Sequence, residues 1–280
     1  MAVDEMPHFV VMIKVLLALG LLSICVPGMA DAAEAKSQDT ENHSIEPPVF
    51  FDALQWQSAY QAQKLNLDKM LRGRLPEGFK AGLTSLASQR RFHSDRPIMG
   101  VLCPGAKLDS TEIIKHSDFR QGMFEVELAF RLKRTVEHKV ADVATLKTLL
   151  DVVAPAAELP DLGFQSQKPP SVFDIIRANI AAHRFVVGSP VSMASIDPEA
   201  ITIGLHINDQ VIYSAQSSAL IGGQLGMLLK LINDRIDQGW VIYPDQWLLT
   251  GAIGPIRPLE IGRYSMSFAD LGELSLLVEP

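Results

Sequence analysis

The sequence predicts a mixed α+β domain. Strand-like runs dominate the second half of the chain, and helical stretches interrupt them irregularly. That irregularity disfavours a doubly wound sheet, which alternates strand and helix. The composition is globular: 280 residues, 48% hydrophobic and 20% charged, with no long polar tract beyond the first fifty residues. A formal net charge of −7 without a Lys/Arg-dense stripe argues against nucleic acid as a main partner. No solenoid-spaced repeat, GxGxxG, P-loop, HExxH or GxSxG elbow occurs.

The elements follow in chain order. Residues 1–32 read as a secretory signal peptide: Lys14, an apolar run from Val15 to Val26, then Ala30, Ala32 and Ala33 in an A-x-A pattern. The run is short for a bilayer span, so no membrane attachment is expected after cleavage. Ile24 stands before Cys25, where a lipoprotein signal needs a small residue. The expected address is therefore periplasmic or secreted. Residues 33–49 are polar and end in Pro47-Pro48, a flexible tail by composition. The domain is expected to span 50–280. After cleavage Cys103 has no cysteine partner, so no internal disulfide can form; it reads as a small packed residue rather than a nucleophile.

From Phe51 to Leu71 apolar residues (Leu54, Ala62, Leu65, Leu67, Met70, Leu71) recur loosely at helical spacing, with Asp52 as a cap. The stretch 77–85, EGFKAGLTS, predicts a short strand leading into a loop, and PIMGVLCPG a second strand closed by a turn. FEVELAF, 124–130, predicts an alternating strand. Phe124, Val126, Leu128 and Phe130 would share one face, and Glu125 and Glu127 the other. A helix is expected over Ala141–Val152, and a helix then a strand over 170–188. Residues 201–215 predict a hairpin turning at Asn208-Asp209. Gly222–Asp237 predicts a helix that buries Leu225, Leu228, Leu229, Ile232 and Ile236. DQWLLTG predicts a strand ending in a glycine loop, and the C-terminus two short strands around Leu271-Gly272.

An E-x-E pair on an alternating strand is commonly just a solvated face. Three features add weight: Glu158 after the apolar stretch LLDVVAPAA, Lys80 as a lone cation between glycines, and the Thr-Gly loop of LLTGAIGPIRP. Three converging carboxylates repel one another, and must take up protons or bind a cation. Oxygen-only ligands suit Mg²⁺, Mn²⁺ or Ca²⁺.

In this order and spacing, GFKAGLTS, PIMGVL, FEVELAF, PAAELPD, RANIAAHRFVVG and LLTGAIGP resemble the 2-keto-4-pentenoate hydratase family of the fumarylacetoacetate hydrolase superfamily. The resemblance runs from about residue 50 to the C-terminus. It implies a mixed β-roll with peripheral helices, assembled into homo-oligomers. It also implies Glu125, Glu127 and Glu158 as ligands of Mg²⁺ or Mn²⁺. The implied chemistry is hydration, decarboxylation or C–C cleavage of a small 2-oxo acid. Lys80 would pair with the substrate carboxylate or donate a proton. Thr84, Ser85, Asn179, Thr250 and Gly251 would bind the substrate.

Two positions depart from the family pattern. Ile98 stands where an Asp is usual, and Ala178 where a second acid is common. Asp161 is expected to compensate as a catalytic acid, with Asp95, His93 and His183 as further candidates. A metal-dependent lyase is the first expectation. The alternatives are an exported binding protein that keeps the cation without turnover, and a C–C bond hydrolase of the same superfamily.

Overall fold

A computed structural model describes residues 52–164 and 170–280 of the protein. The expected signal peptide and tail lie outside the described residues. Helix α1 (Ala53–Leu71) begins with a reciprocal cap: Asp52 accepts the Leu54 N–H, and Gln55 accepts the Asp52 N–H. It buries Trp56, Ala59, Gln63, Leu67 and Leu71. Leu54, Leu65 and Met70 are instead exposed. The loose apolar spacing left the buried face ambiguous, and the one presented to the protein carries the aromatic Trp56.

Strand β1 (Gly78–Gly82) leads into a short loop, as expected, and helix α2 (Leu86–Arg91) follows it. Strands β2 (Ile98–Leu102), β3 (Lys107–Leu108), β4 (Ile113–Lys115) and β5 (Met123–Leu132) follow. Helix α3 (Val143–Leu149) is shorter than the expected Ala141–Val152, and β6 (Leu150–Leu159) starts immediately after it. Val152 and Val153 are β-branched, and the residue before Pro155 is biased against helix. Helix α4 (Val172–Arg177) precedes β7 (Arg184–Val187) and β8 (Val191–Ser192). The hairpin of β9 (Thr202–Ile207) and β10 (Gln210–Gln216) turns at Asn208 and Asp209, both at positive φ, as a tight hairpin turn requires. Helix α5 (Gly223–Asp237), β11 (Trp247–Leu249), β12 (Arg257–Pro258), β13 (Gly262–Ser267) and β14 (Glu273–Glu279) complete the chain.

The described strands form two sheets. One has the order β2-β1-β11-β5-β6-β7-β3, with β12 beside β5 and β8 beside β6; the other has the order β10-β9-β13-β14-β4. A continuous apolar cluster joins them, including Phe79, Phe124, Phe130, Leu205, Tyr264 and Phe268. On α5 the buried apolar residues are Leu225, Met227, Leu228, Leu231 and Ile232. Leu229 and Ile236, expected in the stripe, pack only partly buried against that cluster.

Leu228→Ala removes a fully buried side chain of α5. The expected cost is about 2–5 kcal/mol in urea unfolding, in line with a cavity in a close-packed interior.

Candidate metal centre

Register decides which acids meet. In the antiparallel β5–β6 pair, Glu125 lies opposite Glu158 and Glu127 opposite Ala156. Opposed residues share a face, as do positions two apart, so the three carboxylates project together. One ligand oxygen from each lies within 4.8 Å of the others. Glu127 and Glu158 are fully buried, and Glu125 keeps partial solvent access. Phe124, Val126, Leu128 and Phe130 occupy the opposite face, all buried. Both faces of this strand are therefore covered.

Lys80 arrives from the far side of the sheet. It pairs with Leu249 of β11, which pairs with Ala129 of β5. In a flat sheet, three strand spacings of about 4.8 Å would hold β1 some 14 Å from β6. Yet Lys80 Nζ lies 2.6 Å from Glu158 Oε1. The Lys80 and Glu158 side chains meet across the two strands between them. Opposite Lys80, Gly100 leaves room for the lysine stem; a Cβ there would meet Lys80 Cγ at 3.1 Å.

Lys80 also donates to the Ile180 carbonyl at 3.2 Å. That carbonyl sits on an unusual turn. Asn179, Ile180 and Ala181 adopt φ of 52°, 54° and 57° in succession. Left-handed backbone costs roughly 1–2 kcal/mol per non-glycine residue. Asn179 offsets this by gripping β2: its amide donates to Val101 O at 2.8 Å and its Oδ1 accepts the Val101 N–H at 2.9 Å. Ala181 O accepts the Asp161 N–H at 2.9 Å. The strain is retained where it aims a carbonyl at the buried cation.

Burial pushes the Glu125 carboxyl up to about 7, with Glu158 adding to the rise and Lys80 opposing it. Burial, then Glu158 and Glu125, hold Glu127 well above the usual carboxylate range, against Lys80 and the Gly251 N–H. For Lys80 burial disfavours the charge, but Glu158, Glu125 and Glu127 outweigh it and the amine is held as ammonium. With all acids ionised, three carboxylates and one ammonium leave two negative charges, which one divalent cation neutralises. Glu127 Oε1 and Glu158 Oε2 are buried and accept no hydrogen bond. An oxygen-only set with bare acceptors fits Mg²⁺, Mn²⁺ or Ca²⁺.

The expected substrate-binding residues divide. Thr84 is buried and packs on Gly251, where an added Cβ would meet Thr84 Oγ1 at 2.5 Å. The other four have structural partners instead. Ser85 caps α2 by accepting the Ser88 N–H. Asn179 spends its amide on Val101. The Thr250 hydroxyl faces Gln224 Oε1 at 2.5 Å, and the Gly251 N–H donates to Glu127 Oε2 at 2.7 Å. Asp161 also departs from its expected catalytic part. Its oxygens accept the N–H groups of Arg120, Gln121 and Gly163, which tie down a loop and hold the carboxyl below its usual range despite partial burial.

None of the other proton-handling candidates joins the acids. Asp95 pairs with Arg96 at the surface, His93 is exposed, and His183 packs edge-on to Phe119. Burial pushes the Cys103 thiol up to about 11, which suits a packing residue. Sequence reasoning missed Ile180, Val101 and Gln224. The first two act through backbone groups, which leave no residue-type signal.

No family model matches the chain. It is 29% identical over 252 residues to 2-keto-4-pentenoate hydratase 1 of Dechloromonas aromatica (strain RCB), covering 89% of this chain and 95% of that protein. The fold is similar to 4-oxalocrotonate decarboxylase from Pseudomonas putida G7, solved with magnesium and adipate: TM-score 0.74 at 22% identity, over 80% of this chain and 86% of that one. Fumarylpyruvate hydrolase from Pseudomonas aeruginosa, solved with Mn²⁺ and pyruvate, matches with TM-score 0.59 at 15% identity, over 71% and 88%.

Two measurements check the geometry. Asn179→Ala leaves both Val101 backbone groups unpaired and is expected to cost about 2–4 kcal/mol in chemical unfolding. The second is pH dependence. Glu125 and Glu127 have folded proton affinities above their unfolded ones, so the ion-free fold holds extra protons. For Glu125 the resulting stability is present at low pH and is lost as pH rises from about 4.5 through about 7, and Glu127 acts in the same direction. Added Mg²⁺ is expected to raise the melting temperature more at pH 8 than at pH 5.5. Equal shifts at both would contradict the buried acid cluster.

Proposed function

We propose that this chain, a relative of the 2-keto-4-pentenoate hydratases with the fumarylacetoacetate hydrolase-like fold, is a divalent-metal-dependent lyase acting on a short 2-oxo or 2-hydroxydienoic acid by hydration or decarboxylation. The observation that carries the proposal is the convergence of Glu125, Glu127 and Glu158 within 4.8 Å beside a buried lysine. Glu127 Oε1, Glu158 Oε2 and a Glu125 oxygen are the groups that would hold Mg²⁺ or Mn²⁺. When bound, the ion supplies Lewis acidity toward the oxygens of a 2-oxo acid.

The rest falls to the chain's own side chains. Lys80 has three N–H donors, of which Glu158 and Ile180 take two. The third remains for a substrate carboxylate or for delivering a proton to the substrate carbon skeleton. Burial of Glu127, Glu158 and Lys80 excludes water from the charged groups and strengthens each interaction among them. Glu125, titrating near 7 in the ion-free protein, lies on the more open side of the cluster.

A binding protein without turnover is the second reading, and one observation favours it. Ile98 is fully buried in an apolar cluster with Trp56, Val172, Ile176 and Ile180. That position offers no carboxylate, and Ala178 offers none at the end of α4. The proposed assembly is a homo-oligomer. The proposed address, periplasmic or secreted, is supported by the N-terminal sequence pattern alone.

The assay is loss of dienol absorbance when the protein is mixed with Mg²⁺ and a 2-hydroxy-2,4-dienoate. Acceleration that EDTA abolishes is the expected result. Glu127→Gln and Glu158→Gln are each expected to lower turnover by about 100-fold or more, beyond the 10–100-fold typical of an outer-shell change. Lys80→Met is expected to lose about 10²–10⁴-fold, the usual worth of a placed proton donor. Mg²⁺ binding with no acceleration across several such acids would leave the binding reading.

A further inference from the structure

Behind Glu127 runs a line of buried polar groups to which no part has yet been assigned. Thr250, Gln224 and Ser217 are, like Glu127, fully buried. The Gly251 N–H donates to Glu127 Oε2 at 2.7 Å. One residue earlier, the Thr250 hydroxyl lies 2.5 Å from Gln224 Oε1. Gln224 Nε2 donates to Ser217 O at 2.7 Å.

The direction of these bonds is fixed. A backbone carbonyl only accepts, so Gln224 must turn its NH₂ toward Ser217 and its oxygen toward Thr250. A flipped amide would set oxygen against oxygen. Thr250 has one hydroxyl proton and two acceptors in range, Gln224 Oε1 at 2.5 Å and Leu128 O at 3.4 Å. The shorter contact takes the proton.

Gln224 is itself rigidly seated in the first turn of α5. Its N–H and that of Leu225 donate to Glu199 Oε2 and Oε1 at 2.9 and 2.8 Å. Thr250, by contrast, is weakly held by its backbone. Its N–H reaches Leu128 O at only 3.4 Å, and the next firm bond to β5 is Ile253 N to Val126 O at 2.8 Å. Between them the loop leaves the ladder, so the side-chain anchor at Gln224 sets where the Thr250–Gly251 peptide lies. Gly251 has φ 103°, and any larger residue would collide with Thr84.

We propose that Gln224 and Thr250 are positioning residues for Glu127: through the Gly251 N–H they hold one carboxylate oxygen, so that only Oε1 faces the acid cluster. The inference rests on Glu127 being a metal ligand, and assigns the surroundings that orient it. Outer partners of metal ligands typically change affinity by 10–100-fold when removed.

The test is Mn²⁺ affinity of the purified full-length protein, read from the electron paramagnetic resonance signal of free Mn²⁺. Thr250→Val and Gln224→Met are expected to weaken binding by about 10–100-fold, while Thr250→Ser keeps the parent affinity. Circular dichroism confirms folding at the assay temperature. A merely structural pair would lower the melting temperature and leave Mn²⁺ affinity unmoved, and that result overturns the proposal. If Thr250→Val or Gln224→Met fails to fold, Gln224→Asn, which withdraws the amide by one methylene, must show the same loss or the proposal falls. Glu127→Gln separates the two levels. If it binds Mn²⁺ like the parent, the metal reading fails; if it alone loses binding, only the positioning role fails.

Discussion

Three carboxylates and one ammonium packed in a protein interior are the constraint on which the rest of the structure turns. Burying an ionised carboxylate costs several kcal/mol after relaxation, and a like-charged neighbour adds to that. Lys80 offsets one of the three. It touches Glu158 directly and lies within electrostatic reach of the other two. The remaining imbalance is two charges, and protons or one divalent cation can remove it. Protons do so only below the raised range of Glu125 and Glu127. Above that range, a bound cation is the state that would leave the acids ionised and the fold unburdened. The same imbalance that weakens the ion-free fold would therefore give the proposed metal site its affinity.

The surrounding fold can be read as the set of restraints that keeps this imbalance from relaxing. The β5–β6 register puts Glu125 directly opposite Glu158, a pairing that a sheet free to slip would abandon. The reverse faces of those strands prevent the slip. A shift by one residue would place Phe124, Val126, Leu128 and Phe130 among the acids and turn the glutamates into the apolar cluster. The counter-charge comes from β1, a strand distant in the sheet order. The left-handed turn at 179–181 then fixes the lysine head. Each restraint costs free energy locally, and each is covered by packing elsewhere.

How much of this was legible in the sequence depends on which physical signal a residue carries. Strand alternation over 124–130 located the acids and assigned their two faces correctly, because side-chain period is a local property. Its occupancy was not local: whether the glutamate face is wet depends on β6 and β1, which lie far along the chain. The end of α3 was missed because Leu149 and Leu150 suit a helix, and pairing with β5 reinforces the strand preference of Val152 and Val153 and extends β6 back to Leu150. Of the expected substrate contacts, Ser85 and Asn179 bond to backbone groups, Thr250 to the Gln224 amide and Gly251 to the Glu127 carboxylate. Short polar side chains in loops hydrogen-bond equally well to protein or to substrate, and composition does not say which. Gln224 offered no signal at all. A glutamine at a helix start reads as a surface residue until the loop it anchors is seen.

The two apolar departures, Ile98 and Ala178, bear on chemistry through geometry. Ile98 packs against the α1–α4 layer, and its neighbour Gly100 two positions on makes room for Lys80. An acid at 98 would lie in the buried cluster with Trp56, Val172 and Ile176, and would add to the burial cost already carried by the three glutamates. With Ile98 there, that layer is apolar, and the Ile180 side chain packs into it while its carbonyl turns toward Lys80. Under the proposed function, proton handling would then fall on one residue. Lys80 is fixed on two sides by Glu158 and Ile180, is kept charged by the acids, and has one donor direction left. A site of this kind has little freedom to shuttle protons around a substrate and considerable rigidity in holding one. Under the proposed lyase reading, that bias would favour a reaction needing a single well-placed proton over one needing a separate acid and base.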